Sequence, residues 1–392
     1  ITSLKTDKNG AASVSDLYLG KYYIKEITAP TGYLVDQKEY DLHCSYENAT
    51  VEVVERSLIV KDDVVKQPFC VIKAANNGKT DADLLKGVGF SAYLKSSLKT
   101  KADGSYDFDS AAAVVITADG KTEMFTDAKG YACSIPLPFG TYIVRETTSL
   151  HNYDVVDDFE VVISENKSDT PQVWRVLLDK EFKAKLKIVK KDDETKKPVL
   201  VVGAEFKVYD LDNEKYVEQV TTYPKTTVHK SFKTDENGYL ILPESLRPGN
   251  YRIEEINAPN GYTLNSNFVT VTVDTNTAFL EDAVSGDAII TVEYENHPVK
   301  GQLIISKQGE ILKGFDGDFI YEMAGLAGAE FELYAAENIY TADHQVDEDG
   351  NRQLYFAKDA LVAKVATDAE GKAVVKNLPL GSYYVKETRA AE

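Results

Sequence analysis

The sequence of 392 residues is poor in the residue types that build conventional catalytic and metal sites. It contains three cysteines, Cys44, Cys70 and Cys133, and five histidines. The cysteines are too few and too scattered to predict a disulfide framework or a zinc site, and the histidines stand apart from one another and from the cysteines. No Ser/His/Asp or Cys/His set and no phosphate-binding glycine loop is recognisable. The sequence therefore predicts no conventional enzyme, no cofactor and no metal.

Positive charge and long apolar runs are also scarce. The 63 acidic residues outnumber 44 lysines and arginines, which gives a formal net charge of −19. No basic stripe offsets the resulting repulsion, so we predict no nucleic-acid partner. No apolar run is long enough to span a bilayer, and no signal peptide or sorting tail is recognisable, so we expect no membrane segment here. We expect both ends to have been cut from a longer protein.

Tyrosine is abundant instead, with 24 tyrosines against one tryptophan. Tyrosine, valine, threonine and isoleucine in short segments separated by glycine turns are typical of β-strands. A chain of this length rarely forms a single core. The composition therefore predicts several all-β domains.

Four segments repeat one pattern. In each, a Thr-Asp-x-x-Gly turn precedes a strand that carries a glycine, a tyrosine and a glutamate at constant spacing. The four sets are Gly20, Tyr22 and Glu26; Gly140, Tyr142 and Glu146; Gly249, Tyr251 and Glu255; and Gly381, Tyr383 and Glu387. Four matches in register indicate a repeated structural unit.

Two further elements recur with the same period. Three apolar strands, FCVIK, LKIVK and LIISK, end in Lys73, Lys190 and Lys307, and the interval between successive lysines is constant. At one fixed distance before these lysines stand Asp62, Asp179 and Asn296.

The repeats predict module boundaries. Residues 1–66 are the C-terminal part of one module (segment N), and residues 67–182 and 183–299 are complete modules (A and B). Residues 300–392 are a module that lacks its last strand (C). Short alternating segments without helical periodicity indicate an all-β fold. With very short linkers, they predict tandem Ig-like β-sandwiches in an elongated, semi-rigid string.

Strand alternation places the recurring polar residues on apolar faces. Side chains at i, i+2 and i+4 share a face, so Lys190 lies with Leu186 and Ile188, and Glu255 lies with Tyr251 and Ile253. Taken singly, a lysine at a strand end is usually a surface residue whose stem packs on apolar atoms. Recurrence of the triple in register favours an inward site. Asp179 fits less cleanly, because Arg175 shares its face.

An inward Lys, Glu and Asp or Asn can react with one another. Burial disfavours isolated charges and drives lysine toward the nucleophilic neutral amine. Such an amine held against the side-chain carbonyl of Asp or Asn can form an amide, with loss of water or ammonia. A protonated Glu between them would polarise the carbonyl and shuttle protons.

These motifs resemble the Cna-B-type (SpaA-like, prealbumin-like) domains of Gram-positive adhesins and pilins. The family's glutamate motif, a Gly-x-Tyr strand ending in Glu before Ala-Pro-x-Gly-Tyr, is matched by GKYYIKEITAPTGY and GNYRIEEINAPNGY. Module A departs from it with TTSLHNY after Glu146. The resemblance implies isopeptide bonds between a first-strand lysine and a last-strand Asp or Asn, catalysed by Glu. It implies the triads Lys73, Glu146 and Asp179, and Lys190, Glu255 and Asn296, with Glu26 and Asp62, and Lys307 and Glu387, as incomplete sets.

The resemblance implies a stalk or shaft of a cell-wall-anchored surface protein whose partners are its neighbouring modules. One alternative is a module that binds a host matrix protein or a glycan through the insertions at 94–123 and 335–364. A second is a sortase-polymerised pilin, because Tyr223-Pro224-Lys225 resembles a pilin lysine motif, although it lies within a module. The acidic run 347–351 could bind calcium weakly but lacks EF-hand spacing, and a polar turn explains it equally.

Overall fold

The computed structural model describes residues 2–77, 83–167, 169–172 and 174–391, with the side chain of Trp174 excepted. The chain divides into two compact units, Ile1–Glu181 and Phe182–Glu392. The regular elements of the described residues are β-strands and two single 3₁₀ turns, Lys95–Ser97 and Phe108–Ser110. The predicted all-β tandem fold is thus confirmed. Among the described residues, no helix has the length and hydropathy needed to cross a bilayer.

Segment N contains one antiparallel pair of strands, β1 (Gly20–Lys25) and β2 (Glu39–Cys44). Most of its side chains are exposed, and Cys44 at the end of β2 is buried with a free thiol. Within its unit, the segment continues into the next strands through Val65, whose N–H donates to Gly32 O at 2.9 Å.

Module A is a sandwich of two sheets. Its strands are β3 (Lys66–Gln67), β4 (Cys70–Asn76), β5 (Gly89–Leu94), β6 (Lys99–Thr100), β7 (Tyr106–Asp107), β8 (Glu123–Phe125), β9 (Tyr131–Cys133), β10 (Leu137–Pro138), β11 (Gly140–Thr148), β12 (Phe159–Ile163) and β13 (Trp174–Lys180). One sheet has the order β13-β4-β9 and the other β12-β11-β5-β8. Phe69, Val71, Phe90, Tyr142 and Val144 fill the core between them.

Module B repeats this arrangement. Its strands are β14 (Ala184–Asp192), β15 (Glu205–Asp210), β16 (Lys215–Tyr216), β17 (Gln219–Thr221), β18 (Thr227–His229), β19 (Phe232–Lys233), β20 (Tyr239–Ile241), β21 (Gly249–Asn257), β22 (Val269–Val273), β23 (Leu280–Glu281) and β24 (Ala288–Asn296). The sheets have the orders β20-β14-β24-β23 and β16-β15-β21-β22, with β19 paired to β15. Every second residue of β14 is buried, as expected for a strand with one face on a core.

Module C contains the remaining strands, β25 (Lys300–Ser306), β26 (Gln308–Phe315), β27 (Phe319–Gly325), β28 (Glu330–Ala335), β29 (Ile339–Tyr340), β30 (Leu354–Phe356), β31 (Leu361–Ala366), β32 (Lys372–Pro379) and β33 (Tyr383–Arg389). β25 pairs with β32, whereas β4 and β14 each have a parallel partner as well. Within the described part of the chain, β25 has no parallel partner, and the buried core is correspondingly small.

Cys70 and Cys133 form a disulfide that the scattered cysteines of the sequence did not predict. β4 and β9 are antiparallel neighbours, and their register places Cys70 directly opposite Cys133. The sequence separation of 63 residues concealed this contact, because cysteine spacing says nothing about which strands become neighbours.

Part of the insertion at 335–364 lies against module B within the second unit. Leu200 N–H donates to Asp343 O at 2.8 Å, and the Thr195 hydroxyl donates to Asp343 Oδ2 at 2.7 Å. Gln345 Nε2 donates to Pro198 O at 2.6 Å, and Asp343 is fully buried. In the acidic run, Asp347 Oδ1 accepts the backbone N–H of Asn351, as a polar turn requires. This portion of the insertion therefore holds two modules together.

Candidate crosslinking sites

Parallel pairing brings the lysine strand and the closing strand together with one register in modules A and B. Lys73 on β4 lies opposite Leu177 on β13, and Lys190 on β14 lies opposite Tyr294 on β24. Asp179 and Asn296 are each two residues further along, so each shares a face with its lysine. That face points toward the second sheet, where Glu146 and Glu255 lie on β11 and β21.

In module A, the three predicted residues are in direct contact. Lys73 Nζ lies 2.7 Å from Glu146 Oε2 and also forms an ion pair with Asp179 Oδ1. The side chains of Lys73 and Glu146 are completely inaccessible to solvent, and Asp179 is 1% exposed. Backbone N–H of Val156 donates to Glu146 Oε2 at 3.4 Å.

Burial dominates the electrostatics of Asp179. Desolvation raises the pKa of its carboxyl to about 6, although the neighbouring Lys73 acts in the opposite direction. Apart from the contact with Lys73, neither carboxyl oxygen accepts a hydrogen bond from the described residues. A partly neutral, poorly solvated carboxyl next to an amine is a suitable electrophile for amide formation.

Arg175 does not enter the site although it shares a face with Asp179. It lies near the start of β13, four residues before Asp179, where its guanidinium stacks 4.7 Å from the ring centre of Phe159 and donates to Glu160 O at 2.8 Å. It is partly exposed. The face predicted for Arg175 is therefore compatible with the site, because the side chain packs on Phe159 and bonds Glu160 instead of contacting Asp179.

In module B, Glu255 lies between the other two residues. Asn296 Nδ2 donates to Glu255 Oε1 and Oε2 at 2.9 and 2.7 Å, and Lys190 Nζ lies 3.5 Å from Glu255 Oε1. Lys190 also donates to the carbonyl oxygen of Tyr294 at 3.0 Å. Asn296 Oδ1 accepts no hydrogen bond from the described residues.

Desolvation lowers the pKa of Lys190 to about 8, although the Glu255 carboxylate acts in the opposite direction. At neutral pH, a shift of this size increases the neutral fraction of the amine by about two orders of magnitude. A buried lysine that gives up its proton this readily can act as a nucleophile.

The incomplete sets are more exposed. In segment N, burial raises the pKa of Asp62, and repulsion from the Glu26 carboxylate adds to the shift. Glu26 Oε2 also accepts Asp36 N–H at 2.6 Å. In module C, Lys307 Nζ lies 2.8 Å from Glu387 Oε2, and these side chains are 31% and 33% exposed. Each set therefore holds two of three residues in proximity.

An aromatic wall around the lysines was not predicted. Each glutamate lies opposite a phenylalanine in its sheet, and the pairs are Glu146 with Phe90, Glu255 with Phe206, and Glu387 with Phe331. Lys73 Nζ lies 5.7 Å from the Phe90 ring centre, and Lys190 Nζ lies 4.9 Å from that of Tyr294. The signal was available, because GVGF, GAEF and GAEF place a phenylalanine at the same point of each repeat. These rings exclude water from the reacting groups.

Comparison with known proteins gives the family. A family profile described as SpaA, prealbumin-like fold domain, matches residues 1–57, 72–175, 184–284 and 321–392. No curated protein sequence matches the chain.

Three similar solved structures share 18–22% identity with the chain. The Bacillus anthracis TIE protein is 22% identical, with 91% of this chain and 49% of that chain covered and a TM-score of 0.47. The chain thus spans about half the length of that protein. The shaft pilin SpaA from Lactobacillus rhamnosus GG is 18% identical over 60% of this chain and 98% of its own, with a TM-score of 0.24. A streptococcal ancillary pilin is 21% identical over 76% and 80%, with a TM-score of 0.26. Because the family profile matches most of the residues, the chain belongs to the SpaA prealbumin-like fold domain family.

Proposed function

We propose that this chain is a structural stalk segment of a Gram-positive cell-surface protein or pilus, in which modules A and B each form an internal isopeptide bond. The observation that supports this most strongly is the pair of buried Lys, Glu and Asp or Asn triads, placed by the same strand register in both modules. Family membership supports the stalk, since SpaA-type domains occur in the shaft pilin named above.

The proposed reaction in module A condenses an amine with a carboxylic acid. Lys73 passes a proton to the glutamate and its Nζ attacks Cγ of Asp179. The new Nζ–Cγ bond forms as a Cγ–Oδ bond breaks, and the departing oxygen leaves as water with one proton from Nζ and one returned by Glu146. The 2.7 Å contact between Lys73 Nζ and Glu146 Oε2 provides the proton-transfer path.

In module B, the leaving group is ammonia. Lys190 Nζ, as the neutral amine, attacks Cγ of Asn296 and forms the Nζ–Cγ bond. The Cγ–Nδ2 bond breaks as Glu255 transfers a proton to Nδ2 and takes up the proton that Nζ loses, so that ammonia leaves. Both hydrogen bonds from Nδ2 to Glu255 support this role, because they place the carboxyl group that relays the proton beside the departing nitrogen. Burial of the triad supplies the effective concentration that a single turnover requires.

The chain is first allowed to fold, and its intact mass is then measured under denaturing conditions to test the proposal. After reduction of the disulfide, we expect a deficit of one water and one ammonia relative to the sequence mass. Glu146→Ala should abolish the loss of water only, and Glu255→Ala the loss of ammonia only. An unshifted mass in folded protein would exclude the crosslinks while leaving the stalk assignment open to separate tests.

Lys225 supports a second candidate, polymerisation by a sortase. It lies in the 222–226 turn between β17 and β18, where Tyr223 is 90% exposed, so its amine is accessible to another protein. Incubation with a pilin sortase and a sorting-signal peptide should label Lys225 if this candidate is correct. Equal labelling of the wild-type chain and Lys225→Arg would refute it.

A further inference from the structure

In modules A, B and C, the glycine of the Thr-Asp-x-x-Gly turn contacts the backbone of the module's crosslinking lysine. The three glycines are Gly130, Gly238 and Gly371, with φ angles of 70°, 75° and 74°. Their carbonyl oxygens accept the backbone N–H of Lys73, Lys190 and Lys307, respectively, at 2.8 Å in all three modules. The turn therefore fixes the backbone of the lysine and not only the chain direction.

Each of these glycines also approaches neighbouring backbone atoms more closely than a residue with a Cβ could. A Cβ on Gly130 would lie 2.4 Å from Lys73 O, and one on Gly371 would lie 2.4 Å from Lys307 O. In module B, a Cβ on Gly238 would lie 2.6 Å from the carbonyl oxygen of Val199. Each of these neighbours is backbone, so none can move aside as a flexible side chain would.

The opposite side of each lysine backbone is held as well. The carbonyl oxygens of the three lysines accept hydrogen bonds from backbone N–H groups in the segments that precede β5, β15 and β28. The donors are Leu85 at 3.0 Å, Val199 at 2.8 Å and Leu326 at 2.9 Å. The lysine peptide is thus fixed on its N–H side by the turn glycine and on its carbonyl side by this second segment.

Positive φ alone does not create this arrangement. Gly104 in module A and Gly286 in module B have φ angles of 86° and 71°, and a Cβ on either would meet no atom within 4 Å. Those glycines serve only their own turns. They provide matched controls for the cost of placing alanine at positive φ.

We propose that Gly130, Gly238 and Gly371 are positioning residues that hold the crosslinking lysine at its reactive depth; this inference rests on the proposed isopeptide function. Moving a Cβ from 2.4–2.6 Å to an ordinary contact requires a backbone shift of about 1 Å. A misplacement of that size slows a preorganised reaction by about a hundredfold.

Module C shows the same contacts without a parallel partner strand. The hydrogen bond between Gly371 and Lys307 and the ion pair of Lys307 with Glu387 are both formed, although β25 has no parallel partner in the described residues. The glycine contact therefore does not depend on that strand.

The test uses the full chain made by cell-free synthesis, with crosslinking followed over time by intact mass. Gly130→Ala should lose its water about a hundredfold more slowly than Gly104→Ala, which should match the wild-type chain. Gly130 directly precedes β9 and bonds to Lys73 on β4. Because the disulfide links these two strands covalently, it favours folding of the variant. Gly238→Ala and Gly286→Ala form the equivalent pair for the loss of ammonia.

Hydrogen exchange of β4 and β14 provides the readout of folding. Slow crosslinking in a chain with native exchange protection supports positioning, whereas wild-type rates in both Gly130→Ala and Gly238→Ala would overturn it. If one variant fails to fold, the other module decides the result. A wild-type chain that never loses water or ammonia would instead refute the proposed function itself.

Discussion

Replacing Asp179 separates the contribution of the crosslink from that of packing. Asp179→Ala removes the electrophile but keeps the 2.7 Å contact between Lys73 and Glu146. It sacrifices no hydrogen bond other than the lysine contact, because neither Asp179 oxygen has another partner among the described residues. Asp179→Asn is the control, since loss of ammonia from asparagine gives the same amide as loss of water from aspartate.

The expected effect follows from the enclosed loop. A bond from Lys73 to Asp179 closes a loop of about 100 residues, which on the disulfide scale stabilises the fold by about 5 kcal/mol. For a module of this size, that corresponds to a midpoint lowered by roughly 15–25 °C in Asp179→Ala. Glu146→Gln, which keeps Asp179 but removes the proton shuttle, should show a loss of similar size.

The single tryptophan makes this measurable in the full chain. Trp174 lies in β13, so its fluorescence reports the unfolding of module A among the four segments. Melting is recorded in reductant, because the disulfide of Cys70 would otherwise restrict the unfolded chain as well. The wild-type chain and Asp179→Asn should have equal masses and equal midpoints. Equal midpoints for Asp179→Asn and Asp179→Ala, with the former shown by mass to be crosslinked, would refute the entropic reasoning.

Three further outcomes follow from the same contacts. Reduction of the disulfide should lower the unfolding free energy of module A by up to about 4 kcal/mol in Asp179→Ala, because the disulfide closes a loop of 63 residues. In the crosslinked wild-type chain, the decrease should be smaller. Thermal unfolding followed by Trp174 fluorescence, with and without reductant, compares the two chains. In Glu146→Gln, the raised pKa of Asp179 means that the folded state binds more protons than the unfolded state between about pH 4 and 6. Its contribution to stability should therefore fall as pH rises through that window, and the variant that combines Glu146→Gln with Asp179→Ala should lack this contribution; identical pH profiles for the two variants would contradict it. In Asn296→Ala, the lowered pKa of Lys190 means that the folded state binds fewer protons than the unfolded state between about pH 8 and 10.5. The protection of β14 against hydrogen exchange should therefore increase with pH in this range. The same pH dependence in a variant that also carries Lys190→Met would show that Lys190 is not its cause.

The parts of this structure that could be predicted from the sequence are those that repeat along the chain. The alternation in β14 and the constant intervals between Lys73, Lys190 and their partners are local or periodic signals, and they predicted the all-β fold. The same signals brought together candidate residues that the structure places in contact in modules A and B. Whether those contacts become bonds stays a prediction.

Other features depend on which strands become neighbours in the folded chain. A single sequence carries no local or periodic signal for that. The disulfide required knowing that β4 and β9 are adjacent and in register. The insertion at 335–364 was a candidate surface only under the alternative binding hypothesis, and the sequence did not indicate that Asp343 and Gln345 contact module B. The hairpin of β26 and β27, which exposes Phe315 and Phe319, interrupts module C where the other modules have a short polar loop. Insertions carry no repeat signal, so periodicity cannot position them.

The position of Cys70 three residues ahead of Lys73 on β4 determines how module A would respond to pulling. Force applied along the chain enters at the start of β4 and leaves at the end of β13. Once Lys73 is bonded to Asp179, the shortest covalent route runs through that side-chain amide, and residues 74–178 carry no tension. Cys133 lies in this slack portion, so the disulfide is outside the load-bearing route and a reducing environment would not lengthen the stretched module.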